Sequence, residues 1–283
     1  LLGAVCNVNQ GLRTGADKVT KKHFKACNLD VRKYSSGEGI FILRRTEVAQ
    51  LPLTDYERKR ILPLFKNSDV HKYVCESETQ YSFIDLSWPA DRDLDLSRVP
   101  NLIHHLSKYR AILENRKENA NGLDKAIARG IWWPMSVRRR LDFSQEKVVA
   151  PQRCRRNLFG YNDIPWYASA DVYFITRKDA GFSLKYILAL LNSKLYFLWL
   201  YHKGKRKGEM LELYQQPLTE IPVKRVSVKE QNPFVDIVDR ILTAKKRNSE
   251  ADTTTWEREI DQLVYELYGL TNEEIAIVED KSS

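Results

Sequence analysis

The sequence contains little cysteine, and no two of its cysteines lie close together. Four cysteines occur in 283 residues, and neighbouring ones are at least 21 positions apart. This spacing argues against a zinc ribbon or finger, because such sites take two ligands from a stretch of a few residues. Scattered thiols in a chain of this length are typical of a reducing compartment, so we expect a cytoplasmic protein.

Long apolar runs and targeting segments are missing as well. No stretch of about 18 apolar residues occurs, so the sequence predicts no membrane span. No cleavable signal sequence is recognisable at the amino end. Because the first residue is Leu1 rather than Met, we expect the chain to be a segment of a longer polypeptide.

Motifs that carry catalysis are also absent. The sequence has no G-x-S-x-G nucleophile elbow and no G-x-G-x-x-G dinucleotide fingerprint. Its only Asn-Pro pair, Asn232-Pro233, lacks the second proline of the tetrapeptide with which DNA amino-methyltransferases hold a flipped base. Asp55, Glu57 and Lys59 have the residue types of a metal-dependent nuclease, although charged helices often show this spacing. A nuclease therefore stays open as an alternative.

A glycine-containing loop near the start needs an explanation. Residues 7–19 read NVNQGLRTGADKV. A phosphate-binding loop requires G-x-x-x-x-G-K-[ST], but these glycines are one position too close and Lys18 follows Gly15 by three residues. We interpret the segment as a turn, since glycine adopts backbone angles that other residues avoid.

Charge is distributed unevenly along the chain, which has a net charge of +9. Residues 1–180 contain 31 Lys and Arg against 21 Asp and Glu, and residues 181–230 contain 9 against 4. Residues 231–283 reverse the balance, with 6 against 12. A strongly basic body predicts a polyanionic partner, and we expect the acidic tail to face protein instead.

Two clusters concentrate the positive charge. Residues 138–157 contain seven Lys and Arg and two acids, and residues 202–208 carry four of the cations between and beside two glycines. Lysine suits phosphate contacts, and arginine can also read guanine. A single such run is more often a solvated surface, but two runs on a basic body favour nucleic acid. The candidate DNA-binding residues in the clusters are Arg138, Arg139, Arg140, Arg153, Arg155, Arg156, Asn157, Lys203, Lys205, Arg206 and Lys207.

The hydrophobic pattern predicts an α+β fold, with a mixed, β-rich domain over residues 1–180 and a helical segment over 181–283 that contains the basic loop 202–208. Short apolar or alternating runs predict strands at residues 39–43, 80–85, 148–149 and 172–176. Helical spacing predicts helices at residues 101–117, 184–195 and 232–247. Capping signatures at Thr254 and Thr271 predict two more, with Gly269 ending the first.

Six short motifs follow one another along almost the whole chain. They are VNQGLRTGADK at 8–18, SDVHKY at 68–73, IWWP at 131–134, LLNSKL at 190–195, LTEIPV at 218–223 and EREIDQLVYELYGLT at 257–271. In this order they resemble the C-terminal specificity region of TaqI-like adenine-specific DNA methyltransferases and of restriction enzymes fused to an adenine methyltransferase.

The resemblance implies a DNA target-recognition domain at residues 1–180, followed by a helical specificity and packing segment. It implies recognition of double-stranded DNA, in a bacterial or archaeal cytoplasm, for an adenine-N6 DNA methyltransferase, either alone or fused to an endonuclease. S-adenosylmethionine and the catalytic residues would belong to a methyltransferase module in cis, or to a catalytic subunit in trans. Arg13 and Lys18 would contact the DNA backbone or serve a purely structural turn.

Two alternatives remain at this point. The chain could be a stand-alone specificity subunit of a multi-subunit restriction system, although such subunits usually carry two recognition halves. It could also be a self-contained nuclease that uses Asp55, Glu57 and Lys59, which cleavage of plasmid DNA with magnesium would reveal.

Overall fold

The computed structural model describes residues 1–116, 122–135 and 143–281. The chain forms two compact units. Unit 1 consists of Leu1–Gly11, Lys66–Ser77 and Asp142–Ser283, and unit 2 consists of Leu12–Phe65 and Glu78–Leu141. No helix in the described part of the chain is long and apolar enough to cross a membrane.

Eleven strands are found among the described residues, and they form three sheets. They are β1 (Cys6–Gln10), β2 (Ile42–Arg44), β3 (Ile61–Pro63), β4 (Tyr73–Val74), β5 (Tyr81–Ile84), β6 (Lys147–Pro151), β7 (Arg153–Cys154), β8 (Gly160–Asn162), β9 (Val172–Arg177), β10 (Arg206–Lys207) and β11 (Met210–Glu212). The sheet orders are β1-β9-β6-β8-β4 and β10-β11-β7 in unit 1, and β2-β5-β3 in unit 2. The strands predicted at 80–85, 148–149 and 172–176 are confirmed, whereas the run at 39–43 becomes a strand only from Ile42.

Most of the helical residues that the structure describes lie in the second half of the chain, which contains the long helices Val228–Arg247 and Thr254–Tyr268. The α-helices are α1 (Leu2–Val5), α2 (Lys21–Ala26), α3 (Arg45–Ala49), α4 (Asp55–Arg58), α5 (Pro100–Ser107), α6 (Arg110–Glu114), α7 (Leu123–Ala128), α8 (Leu184–Asn192), α9 (Lys194–Lys203), α10 (Gln215–Thr219), α11 (Val228–Arg247), α12 (Thr254–Tyr268) and α13 (Asn272–Lys281). The predicted α+β class with a helical C-terminal segment is confirmed.

The core of unit 1 is built on the five-stranded sheet and on α8. Strands β6 and β9 are almost continuously buried, as expected for central strands covered on both faces. Every residue of α8 except Lys185 is buried, because this helix is apolar on nearly all sides and lies against both β6 and α11. The change of sequence pattern near residue 180 therefore does not divide the packing, since strands before it and helices after it share one core.

The boundary expected at residue 180 is not a boundary between the two compact units. That residues 1–180 recognise DNA and residues 181–283 serve specificity and packing stays a prediction. The helix expected at 101–117 is two helices, α5 and α6, with the buried Tyr109 between them. The helix expected at 184–195 is also two, because α8 ends at Asn192 and Ser193 caps α9 through its side chain. At the second junction the Ser193 side chain accepts from the N–H of Tyr196 and so satisfies one donor at the start of α9.

The glycine-containing loop serves the fold. A Cβ on Gly11 would lie 2.3 Å from the carbonyl oxygen of Ser169, so only glycine permits this close approach. Gly15 has a φ of +79°, in the left-handed region that favours glycine. The Thr14 hydroxyl donates to Asp17, and Lys18 pairs with Gly39 as an isolated bridge. The segment bends at Gly15 and Asp17, and its glycines have the backbone roles expected of them.

Capping boxes open two of the last three helices, and one of the two was predicted. Ser227 and Glu230 form a reciprocal capping box at α11, and Thr271 with Glu274 does the same at α13. The box predicted from Thr254 is wrong, because Thr253 is the N-cap of α12 and Glu257 pairs with Lys72 at 2.5 Å instead. Gly269 ends α12 with a φ of +67°, as predicted.

Asp261 joins α12 to the start of α9. Its Oδ1 accepts a hydrogen bond from the backbone N–H of Lys194 at 2.9 Å, and its side chain is 6% exposed. Burial raises the pKa of Asp261 to about 6, although the Lys194 hydrogen bond and the charges of Lys72 and Lys194 oppose that shift.

We predict that Asp261→Asn stabilises the fold at pH 7. The pKa of Asp261 is higher in the folded than in the unfolded chain, so the ionised carboxylate destabilises the fold above pH 6 and protonation relieves this as the pH falls. Asparagine keeps an acceptor for Lys194 without the charge. Denaturant unfolding should show a gain on the order of 1–3 kcal/mol at pH 7 that shrinks towards pH 4.5. Glu266→Gln, an exposed change on the same helix, should show no such pH dependence; equal behaviour of the two variants would contradict the assignment.

Candidate nucleic-acid interface

Parts of both basic clusters meet in the three-stranded sheet of unit 1. Strand β7 pairs with β11 so that Arg153 lies opposite Glu212, and β11 pairs with β10 so that Arg206 lies opposite Leu211. We use the name basic sheet for β7, β10 and β11 together with residues 155–156 and 203–205. The sequence predicted two separate runs of charge, and the pairing makes one surface of them.

Two glycines shape the basic loop of this sheet. A Cβ on Gly204 would lie 2.5 Å from the carbonyl oxygen of Leu200, so glycine lets the chain turn sharply away from the end of α9. Gly208 has a φ of +59° and occupies the first position of the two-residue connection between β10 and β11. This is a position where tight hairpins favour glycine. Lys207 is consequently held at the exposed end of a hairpin.

Glu212 holds the basic sheet together electrostatically. Its side chain is buried, and its Oε1 accepts from Arg153 Nε at 3.1 Å while its Oε2 lies 3.4 Å from Lys205 Nζ. The Tyr214 hydroxyl accepts from Arg153 Nη2 at 2.9 Å and donates to Glu212 at 3.3 Å. Burial alone would raise the pKa of Glu212, but hydrogen bonds from Lys205 and Arg153 outweigh it and the pKa is lowered. One carboxylate thus joins the two basic clusters.

The remaining cations of the basic sheet point to solvent or rest on aromatic rings. Arg206 stacks over the Tyr201 ring at 4.0 Å, and Arg156 lies 5.7 Å from the Phe197 ring. Arg155, Lys203 and Lys207 are exposed, and none of them forms an ion pair within the described residues. Lys205 also lies 4.8 Å above the Tyr214 ring. The surface therefore combines fixed cations with free ones.

A groove runs beside the hairpin. Its lining includes the two aromatic residues Trp199 and Tyr214, the cations Lys203 and Lys205, and the amide of Gln216. Cations supported by aromatic rings are a frequent combination at nucleic-acid surfaces, since ammonium groups meet phosphates and rings pack on sugars or bases.

Asn157 has a structural position. It is buried, and its amide nitrogen donates to the carbonyl oxygens of Leu191 at 2.7 Å and Ser193 at 2.9 Å. Nearby, Asn192 accepts from the backbone N–H of Phe159 and donates to its carbonyl oxygen. Both amide hydrogens of Asn157 are engaged at the junction of α8 and α9, so the DNA contact expected from Asn157 stays a prediction without geometric support.

Of the other predicted DNA-binding residues, Arg13 and Lys18 lie in unit 2. Arg13 and Lys18 are exposed on either side of Gly15, and neither forms an ion pair with a residue that the structure describes. Arg138, Arg139 and Arg140 lie outside the described residues. Their contacts with DNA stay predictions.

One of the three residues considered for a nuclease, Glu57, has a structural role. Glu57 is fully buried, and its Oε1 accepts from the backbone N–H groups of Asn101 at 2.7 Å and Leu102 at 3.0 Å. Its Oε2 accepts from Thr54 and from the Asn101 side chain. Glu57 therefore caps the starts of both α4 and α5. Among the described residues, no three His, Cys, Asp or Glu side chains come together as metal ligands.

Comparison with known proteins places this geometry in a family. The family of TaqI-like C-terminal specificity domains matches residues 62–223, which include the whole basic sheet. The chain belongs to this family. The match confirms the family that the sequence motifs indicated, and it extends over parts of both compact units of the TaqI-like domain.

Relatives of this TaqI-like domain occur inside longer proteins. It is 24% identical over 264 residues to the type II methyltransferase M.HindII of Haemophilus influenzae, covering 88% of this chain and 43% of that protein. It is 25% identical over 173 residues to the type II methyltransferase M.HincII of Haemophilus influenzae, covering 56% of this chain and 33% of that protein. The chain thus spans less than half of the length of either relative.

A solved structure shares the fold. The type IIL restriction-modification enzyme MmeI, determined in complex with DNA, superposes with a TM-score of 0.63 at 14% sequence identity, covering 96% of this chain and 34% of that one. At this identity the likeness establishes the fold of the TaqI-like domain.

Sequence reasoning missed the residues that organise the basic sheet. Glu212 and Tyr214 follow the basic loop, and only the cations were selected. A hairpin reading of KRKGEMLE would have found Glu212, because a two-residue turn at Gly208 and Glu209 places Lys205 opposite Glu212. That reading needs the strand pairing, which charge patterns alone do not supply.

We predict that Glu212→Gln lowers the thermal unfolding midpoint of the chain. The substitution removes the anion that Arg153 and Lys205 share and leaves two cations close together. Glu209→Gln, on the exposed turn of the same hairpin, changes the net charge equally and should leave the midpoint almost unchanged. Calorimetry of both variants tests this, and an equal response would show that the Glu212 contacts do not stabilise the sheet.

We also predict that Glu57→Gln destabilises unit 2 far more than Asp55→Asn. Glutamine offers one acceptor where two carboxylate oxygens serve several buried donors, at a cost of roughly 2–5 kcal/mol in the free energy of unfolding. Asp55 is exposed, so its change should cost less than about 0.5 kcal/mol. Urea unfolding measures both values. A nuclease role would instead require loss of DNA cleavage in both variants with the fold intact.

Proposed function

We propose that this TaqI-like specificity domain binds double-stranded DNA and selects the target sequence of an adenine-N6 DNA methyltransferase in a restriction-modification system. The observation that carries the proposal is the basic sheet, where two separate cationic segments share one surface. Such a surface supplies the phosphate contacts that dominate DNA affinity. Family membership and the type II methyltransferase relatives support the same function.

The side chains of the basic sheet divide into two roles by their mobility. Arg155, Lys203 and Lys207 are exposed and free to follow the phosphate backbone, so we assign them backbone contacts. Arg153 is held by Glu212 and Tyr214 through Nε and Nη2, which leaves Nη1 for a ligand. A guanidinium fixed in this way is suited to reading a base edge, because specificity depends on a defined position of the donor.

The Arg206 guanidinium forms a platform with Tyr201, and we assign it a phosphate contact beside Lys205. Arg13, Lys18 and Arg138 to Arg140 remain proposed DNA-binding residues on the basis of the sequence. Asn157 also remains a proposed DNA-binding residue on the basis of the sequence alone, because both hydrogens of its amide are donated to backbone carbonyl oxygens within the fold.

We place catalysis in another part of the parent protein. The chain covers less than half of each methyltransferase relative, and it lacks the base-holding tetrapeptide and a cofactor motif. S-adenosylmethionine would supply the methyl group in a methyltransferase module. That module would lie in cis, because the relatives that contain a similar region are methyltransferases themselves. This favours the fused arrangement over a stand-alone specificity subunit, and the acidic tail is proposed to face the module.

The proposal predicts a salt-dependent loss of DNA affinity in the double variant Arg206→Ala, Lys207→Ala. A plot of log affinity against log salt has a negative slope, and each lost phosphate contact reduces its magnitude by about 0.9. The magnitude should therefore be about 1.8 smaller for the double variant than for the unsubstituted chain. Fluorescence anisotropy with a labelled random-sequence duplex, measured from low to moderate salt, gives this slope.

The matched control is Lys246→Ala, Arg247→Ala. These two cations are exposed at the end of α11 in the acidic tail, and their removal changes the net charge equally. We expect an unchanged slope for the control. If the two double variants give the same slope, the basic sheet is not the DNA-binding surface.

A further inference from the structure

A third group of cations lies in unit 2, on and around α2. Lys21, Lys22 and Lys25 are exposed on this six-residue helix. Lys21 and Lys25 are four residues apart and so lie on the same side of the helix. We call these three lysines the α2 surface. It lies before residues 62–223, so the family match says nothing about it.

The α2 surface is fixed to the core of unit 2. Before the helix, Val19 is fully buried and donates its N–H to the carbonyl oxygen of Glu38 at 2.8 Å. At the start of the helix, the N–H of Thr20 donates to Nδ1 of His23 at 3.2 Å. After the helix, the Tyr34 hydroxyl donates to the carbonyl oxygen of Lys108 at 2.8 Å. The lysines therefore project from an anchored support.

No carboxylate of the described residues neutralises the α2 surface. The nearest acids along the chain are engaged elsewhere: Asp17 accepts from Thr14, and Asp30 pairs with Arg32. Glu38 pairs with Lys108. Acidic side chains of this segment are thus used locally, while the three lysines are left without ion pairs inside the described part of unit 2.

The positions of Lys21 and Lys22 also oppose the stability of the helix, whereas Lys25 lies in its last turn. The first turn of a helix favours acidic side chains and disfavours cations, yet α2 begins with Lys21 and Lys22 and has no acid there. The long helix α11 has one cation in its first turn, Lys229, but Glu230 follows it there, and three cations lie in its last turn. Cations placed against stability need another reason for their presence, and ligand binding is a common one.

The chemistry of the α2 surface indicates a duplex phosphate backbone. Ammonium groups bind phosphates as point charges and carry no sequence information. Proteins that bind single strands add exposed aromatic rings for stacking, but Phe24 is half-buried and the His23 ring is engaged in the helix cap. Lysines without a stacking platform fit a partner whose bases are already paired.

We propose that the α2 surface is a second phosphate-binding site for double-stranded DNA, located in the other compact unit from the basic sheet. This inference rests on the proposed function of the chain. It implies that both units contact DNA, so that affinity for any duplex depends on two separate groups of cations.

The test uses the triple variant Lys21→Ala, Lys22→Ala, Lys25→Ala of the full 283-residue chain. The probe is a random-sequence duplex of about 30 base pairs. The magnitude of the negative slope of log affinity against log salt should be smaller by about 2.7, at about 0.9 for each lost contact. The thermal unfolding midpoint should stay the same or rise, because alanine is the better helix former and the unfavourable charges are gone.

The charge-matched control is Lys246→Ala, Arg247→Ala, Arg258→Ala on α11 and α12, three exposed cations outside any first helical turn, which should keep the slope and should not gain stability. Equal slopes for the two triple variants would overturn the inference while leaving the basic sheet intact. If the unsubstituted chain bound no duplex at all, the proposed function would fall together with the inference. A slope that falls along with the unfolding midpoint would also count against it, since the loss would then follow from damage to unit 2.

Discussion

The basic sheet depends on one buried carboxylate. Strands β7 and β10 both carry cations and both pair with β11, so their like charges would repel each other across a narrow sheet. Glu212 removes this obstacle because its two oxygens face Arg153 and Lys205 from opposite sides, with Tyr214 closing the network. The arrangement has a functional consequence. Charges bound to Glu212 are fixed in position, whereas Arg155, Lys203 and Lys207 keep their mobility, so one carboxylate separates a group suited to recognition from groups suited to general attraction.

The family motifs describe the scaffold more than the ligand surface. Gly11 in the first motif allows a close backbone approach. Asn192 in the fourth motif accepts a hydrogen bond from the backbone N–H of Phe159, and Asp261 in the last motif accepts one from the N–H of Lys194 at the start of α9. Tyr73 in the second is buried with a φ of +72°, a position that few tyrosines adopt. These roles demand particular residues, because a close approach or a buried hydrogen bond tolerates few replacements. The proposed DNA contacts of the basic sheet lie between the motifs, where a change of target sequence can alter side chains without disturbing the fold.

This difference between scaffold residues and surface residues explains which features of the structure could be predicted from the sequence. The strands at 80–85, 148–149 and 172–176 and the capped helices α11 and α13 were predictable, because periodicity and capping are local properties. The meeting of Arg153 with Lys205 was not, because it depends on strand pairing between distant segments. For Glu57 the local pattern suggested a role that the fold does not give it. Its spacing to Asp55 is that of a metal-dependent nuclease, but it accepts hydrogen bonds from Asn101 and Leu102, which lie far along the chain, and so it caps a helix. Local patterns identify elements, whereas the role of a polar side chain depends on what the fold brings to it.

The placement of cations relative to helix ends offers a further way to separate binding from stability. At the end of α11, Lys245, Lys246 and Arg247 complement the helix dipole and need no ligand to account for them. At the start of α2, Lys21 and Lys22 have the unfavourable arrangement and lack a counter-charge among the described residues. Total charge cannot distinguish these two groups, because every cation adds the same amount to the net value wherever it lies. The local electrostatic cost of each group can distinguish them. Selection for stability alone would remove the cations at the start of α2 and keep those at the end of α11.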